Sequence, residues 1–520
     1  MSAQYTHNLK QNTQERLMNM QVESFETPQT PKEGYSGPIT RSMTRKGDGN
    51  NNGAPPELPS HITTDMLDAY SKTFQENPVN ILARNAITQV GPRWIALSQP
   101  EIAKVQHIFS HEISPQGHAT DQSQSGRCWI FAGLNVLRTA FMEEHDLNDF
   151  EFSQTHLFFH DKIEKANYYL DQIIETAHLD INSDEVKWLN YSPASDGGYW
   201  SWFANLVSKY GVMPKSVMPE TYNTESSRHM NWILSQKLRE YAVDLRKMHN
   251  AGVSKSQLIE KKREVMAEVY KILAINLGEP PKEFDWEYEN KDGDIVVVEG
   301  LTATTFYEDL VSTKVEDKVT LVNSPMEGRP FYRAYQSKDV NNMKGGKPMR
   351  FIHLPIEELE KYTSRSIEEG EGVWFAADVS PFFNGSLGTL DQGIWDYSAI
   401  YGTDFNMNKT DRILYHQSSA NHAMMFTGFN ESTDGNIDRW QVENSWGRNT
   451  GDSGYFIMSP QWFRDYVYEV IIDKKYLPEN ILNLLDEEPM ELPAWDPMMQ
   501  AVRVKEHSTC LLNSQDMIKA

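Results

Sequence analysis

Cys128 is one of two cysteines in this 520-residue chain, and its neighbours suit a nucleophile. It lies six positions after Gln122, directly behind Gly126-Arg127, and opens a run in which Ile130, Leu134, Leu137 and Phe141 share one helical face. A cysteine in the first turn of a helix meets backbone N–H groups without intrahelical acceptors, at the positive end of the helix dipole. Both stabilise the thiolate, the nucleophilic form of the side chain. A thiol also needs a base. His422 heads a nearly continuous apolar run ending at Phe429, and a second run from Trp440 leads into Asn444-Ser445-Trp446-Gly447. Cysteine, histidine and asparagine in that order suit acyl transfer. Imidazole takes the thiol proton and returns it to the leaving amine, while an amide oxygen holds the other ring nitrogen. Gln122 adds a side-chain amide that can face the developing oxyanion beside the Cys128 N–H.

These residues need a helix beginning at Cys128 and a hairpin joining the two strands. The stretch from 430 to 438 is polar and contains Asp434-Gly435, a turn signal, so the hairpin is expected there. Asp196-Gly197-Gly198 admits two readings. It is either a simple turn, or a cleft wall where Gly197 and Gly198 expose main chain to an extended substrate. Trp446, read alone, suits the core.

Nothing in the sequence suggests a metal, because no paired His or Cys spacing of the zinc type occurs, and no cofactor is implied. The formal charge of −24, from 73 acidic against 49 basic residues, disfavours a general phosphate-binding surface. A local basic stripe remains at Arg239, Arg246, Lys247, Lys255, Lys261, Lys262 and Arg263. No apolar run approaches the roughly 18 residues of a membrane span. Two cysteines cannot make a disulfide framework, which fits a reducing, cytoplasmic setting. Residues 1–60 read as a flexible polar tail without a secretory apolar core.

The Gln122–Trp129 segment, the His422 strand and Asn444-Ser445-Trp446-Gly447 resemble the papain-like cysteine peptidases. Gly126-Arg127-Cys128-Trp129 resembles the bleomycin hydrolase family of aminopeptidases in particular. Glu151-Phe152-Ser153-Gln154, Tyr210-Gly211-Val212-Met213-Pro214-Lys215 and Leu492-Pro493-Ala494-Trp495-Asp496-Pro497-Met498 extend the match over roughly residues 60–498. In papain-like enzymes the histidine follows the cysteine by about 130 to 150 residues, whereas here the separation is about 300, so an insertion is required. It is placed between Pro219 and about Pro355, helical from Ser226 to Leu277 and strand-like at Ile295–Val298 and Val319–Val322.

The resemblance implies an α+β, two-lobed papain-like fold with a large inserted subdomain. The expected order is a tail (1–60), a helical lobe with Cys128 (61–220), a mainly helical oligomerisation insertion (221–355), a β-rich lobe with His422 and Asn444 (356–490) and a C-terminal arm (491–520). It implies hydrolysis of N-terminal peptide or amide bonds through a thioester, with peptides, small amides or thiolactones as substrates. It also implies a homohexamer. Catalysis falls to Cys128, His422, Asn444 and Gln122, and substrate binding to Gly197 and Gly198. Two departures stand out. Asp121 occupies a position where the family usually has asparagine. The family's chain ends a few residues after its Trp-Asp-Pro-Met motif with its carboxylate in the cleft, whereas here 22 residues follow Met498. Either this tail is trimmed, or it leaves the cleft by another route, or the carboxylate anchor is absent and a loosened, endopeptidase-capable specificity follows.

Overall fold

The computed structural model describes residues 60–337 and 340–502. The expected tail before residue 60 and the arm after 502, with Cys510, lie outside the described residues. The chain divides into two compact units, Met1–Ser71 and Lys72–Ala520. Of the first, residues 60–71 are described and begin α1 (Thr64–Glu76).

In the second unit, α2 (Pro78–Val90) is followed by the helical lobe. Its centre is α3 (Cys128–Glu144), in which nearly every position from Trp129 to Thr139 is buried. A helix apolar on all sides has to lie inside the protein. Around it pack α4 (Gln154–Glu175), capped by the Ser153 side chain, and α5 (Trp200–Tyr210). Gly133 marks the closest approach, since a Cβ there would stand 2.8 Å from the Phe203 ring.

Two long helices follow, α6 (Arg228–Asn250) and α7 (Lys255–Leu277). They divide the helical stretch expected from Ser226 to Leu277. A two-stranded hairpin comes next, β1 (Phe284–Glu289) with β2 (Ile295–Leu301). Strands β3 (Lys318–Val322), β4 (Arg333–Ser337) and β5 (Met349–His353) lie in the span read from the sequence as an insertion. They nevertheless belong to the main sheet, because apolar strands such as β3 bury their faces and backbone by pairing with it.

That twelve-stranded sheet is completed by β6 (Val373–Ala377), β7 (His422–Glu431), β8 (Ile437–Glu443), β9 (Tyr455–Met458), β10 (Val467–Asp473), β11 (Met490–Glu491) and short strands at 111–112, 383–384 and 389–390. Its main path runs β11-β4-β5-β3-β10-β6-β7-β8-β9. β7 and β8 form the hairpin expected around Asp434-Gly435, and β7 also pairs antiparallel with β6, His422 opposite Ala377. α3 packs along β7. The indole of Trp374 on β6 donates to the Trp129 carbonyl at 3.2 Å, tying the cysteine's helix to the histidine's sheet.

Candidate active site

Cys128 is the first residue of α3 and is partly exposed. The chain reaches it through a compact turn. Ser125 Oγ donates to the Gln122 carbonyl at 2.6 Å, and Arg127 Nε donates to Ser125 Oγ at 2.8 Å. This turn lies in no strand, so side chains supply several of the partners its peptide groups need.

His422 begins β7 and is almost fully buried. Its Nε2 lies 2.9 Å from Asn444 Oδ1, and that oxygen also accepts the Ser445 backbone N–H at 2.8 Å. The backbone donor fixes which end of the amide faces the ring. An amide oxygen only accepts, so neutral His422 carries its proton on Nε2 and leaves Nδ1 as a base. Trp446 stacks on the ring at 4.6 Å and 20°. It is 8% exposed, packs edge-on against Phe383, and so both covers the histidine and joins the core. Burial pushes the imidazole down to about 4, against the Asn444 hydrogen bond that raises it.

Gln122 is held between the lobes. Its N–H donates to the Ser445 carbonyl at 2.9 Å, its Oε1 accepts from Ser445 Oγ at 2.6 Å, and Nε2 donates to the Ser125 carbonyl at 2.5 Å. An amide has two N–H groups, and Ser125 takes one. Asp121 bridges to Trp446, and its carboxylate leaves no room for a Cβ at Gly447. Ser445 is the residue the sequence reading passed over. Its place next to Asn444 was the available signal, but its contact with Gln122 spans the two lobes.

Gly197 and Gly198 lie in an irregular segment just before α5, beside α3. A Cβ at Gly198 would come within 2.6 Å of the Trp129 ring, so this wall can approach the helix only as glycine. The Gly197 carbonyl accepts Lys165 Nζ at 2.8 Å. Among the described residues no group of three or more His, Cys, Asp or Glu side chains is placed to hold a metal, and no helix is long and apolar enough to cross a membrane.

A helical lobe whose central helix starts with cysteine, set against a sheet lobe that pairs histidine with asparagine, is the architecture of the papain-like cysteine peptidases. Known proteins agree. The chain is 39% identical to human (Homo sapiens) bleomycin hydrolase over 447 residues, 84% of this chain and 98% of that one. It is 37% identical to aminopeptidase C of Listeria monocytogenes, covering 85% of this chain and 99% of the relative. The crystal structure of PepW from Lactobacillus rhamnosis HN001 superposes with a TM-score of 0.83 at 36% identity, over 84% of this chain and 99% of that one. The chain belongs to the Peptidase C1-like family, whose model matches residues 61–499.

Proposed function

We propose that the protein is a cysteine aminopeptidase in which Cys128, His422, Asn444 and Gln122 carry out acyl transfer. The observation that carries this reading is the buried His422–Asn444 hydrogen bond beneath Trp446, at the end of a strand packed on the helix that Cys128 begins. His422 Nδ1 accepts the thiol proton, and the thiolate attacks the scissile carbonyl carbon. The Cys128 N–H and the second Gln122 N–H hold the oxyanion, each such donor typically lowering the barrier by about 3 kcal/mol. As the intermediate collapses, His422 protonates the departing amine and a thioester remains. His422 then takes a proton from water, which attacks the thioester and releases the acid. Gly197 and Gly198 line the substrate's main chain.

The relatives named aminopeptidase C and bleomycin hydrolase support restriction to N-terminal bonds and to peptide or small-amide substrates; thiolactones join the proposal through the family resemblance alone. Residues 490–499 are anchored on the sheet lobe: β11 adds to β4, Asp496 pairs with buried Arg329, and Met499 is fully buried. Rates on one anilide peptide with a free and with an acetylated N-terminus test the restriction. The free form is expected to be cleaved and the acetylated one not; equal rates would point to the loosened, endopeptidase-capable alternative.

Assembly as a homohexamer and residence in the cytoplasm belong to the same proposal. Exposed Val243 on α6, Ile275 on α7, and Ile295 and Val297 on β2 supply apolar surface for subunit contacts. A nucleic-acid role has less support. Arg239 donates to the Asn190 and Tyr191 carbonyls and Arg246 to those of Thr176 and Leu179, while Lys255, Lys261 and Lys262 pair with Glu175, Glu264 and Asp171. Those cations already serve the fold.

A further inference from the structure

Asp196 lies in the wall segment just before Gly197, and its carboxylate is about nine-tenths buried. Four donors from three segments converge on it. Oδ2 accepts the backbone N–H of Gly126 at 3.1 Å and the Ser227 hydroxyl. Oδ1 accepts Lys162 Nζ at 2.6 Å and Asn231 Nδ2 at 2.7 Å. Its backbone carbonyl accepts the Trp129 indole at 2.7 Å. One residue thus touches the turn before the nucleophile, the first turn of the nucleophile's helix, α4, and the start of α6. Burial opposes its charge, yet the Lys162 ammonium and the hydrogen bonds from Lys162, Ser227 and Gly126 hold its carboxyl well below the usual range.

The packing leaves little slack. A Cβ on Gly126 would lie 2.8 Å from Asp196 Cβ. The same turn is gripped at two further points from residues 220–225: Arg127 Nη1 donates to Glu220 Oε1 at 3.1 Å, and Gln124 N donates to the Glu225 carbonyl at 2.8 Å. Every partner of the Asp196 side chain is a donor. An asparagine in its place has one acceptor oxygen and an NH2 group, so on one side it would set donor against donor.

We propose that Asp196 is a positioning residue for acyl transfer, fixing the Gly126 turn and hence the Cys128 backbone N–H that faces the oxyanion, with Ser227 and Asn231 linking the start of α6 to that donor. This rests on the acyl-transfer role proposed for Cys128. The residue touches no reacting atom. It acts through the turn, so its loss impairs the step in which an oxyanion forms and spares reactions of the thiol that form none.

The test compares Asp196→Asn and the double variant Ser227→Ala/Asn231→Ala with the unaltered protein. Four quantities are read: kcat and KM on an aminoacyl anilide, affinity for the matching amino aldehyde, which binds as a tetrahedral oxyanion, and the alkylation rate by iodoacetamide, which forms none. For Asp196→Asn, kcat and aldehyde affinity should fall together by about 30-fold, below the roughly 100- to 1,000-fold cost of removing an oxyanion donor outright. KM and alkylation should stay within about twofold, since neither depends on that donor. The double variant keeps the Lys162 pair and should show the same pattern at about fivefold; it decides the matter if Asp196→Asn does not fold. Unchanged kcat in the folded variants, or an equal fall in kcat, aldehyde affinity and alkylation, would overturn the proposal. Undiminished hydrolysis by Cys128→Ala would instead overturn the acyl-transfer reading beneath it.

Discussion

Around Cys128 the chain is held by buried charge, and around His422 by strand pairing and aromatic surface. On the helical side Arg127 pairs with Glu220, Lys162 with Asp196 and Lys165 with Asp161, with at least one partner of each pair inaccessible. On the sheet side His422 is fixed by its pairing with Ala377 and by the Trp446 ring, and the strand behind it by a Phe375–Phe426 stack at 3.9 Å. The difference follows from secondary structure. The 122–127 turn and the 194–198 wall lie in loops, so many of their peptide groups take side-chain partners, whereas β7 satisfies its own through β6 and β8.

Two buried carboxyl groups show the same contrast. Asp196 faces Lys162 and stays ionised, while Glu469 on β10 has no cation paired with it among the described residues and burial raises it to about 8. Glu443 joins the two regimes. It precedes Asn444 on β8, pairs with Arg138 of α3 at 2.6 Å and accepts from Asn135 at 2.9 Å, while Arg138 also holds the His118 carbonyl on the way to Gln122.

If the sheet side supplies the base and little else, His422→Ala should cut kcat by on the order of 10⁵-fold, as loss of a member of a catalytic unit does. Its circular dichroism and melting should stay close to those of the unaltered protein; a fall of less than about tenfold would remove the histidine from the mechanism. Glu443→Ala should loosen both regions at once, because it strands the buried Arg138 guanidinium. Denaturant titration should show about 3–5 kcal/mol of lost stability, and a loss below about 1 kcal/mol would mean that charge does not join the lobes.

A further prediction concerns pH. Glu469 binds its proton more tightly folded than unfolded, so its contribution to stability is complete below about pH 4.5 and is lost as pH rises through about 8. For a single group the slope is at most about 1.4 kcal/mol per pH unit. Glu469→Gln should therefore melt at a higher temperature than the unaltered protein at pH 9 and lose that advantage toward pH 5; parallel melting profiles would show that the carboxyl does not stay protonated in the fold.

The sequence made the chemistry legible and left its supports hidden. Cys128, His422, Asn444 and Gln122 stand out as candidates because their residue types and spacing carry meaning, and the helix from Cys128 and the β7–β8 hairpin are legible because apolar periodicity and Asp434-Gly435 mark them. Asp161 and Lys165 read along the chain as an ordinary surface pair at i and i+4, and nothing local shows that both are buried, with the Lys165 ammonium against the Trp129 and Trp202 rings. Arg127 and Glu220, or Gln122 and Ser445, meet only through tertiary packing. Strands β3 to β5 were assigned to an insertion because short apolar runs do not reveal which sheet they join.

The mechanism stands on Cys128 carrying the acyl group. The direct measurement is acid quench of the protein during turnover of an amino acid ester, followed by intact mass and peptide mapping. An adduct with the mass of the aminoacyl group is expected on the peptide that contains Cys128 and absent in Cys128→Ala. No adduct, an adduct on Cys510 or elsewhere, or hydrolysis that survives in Cys128→Ala would contradict it.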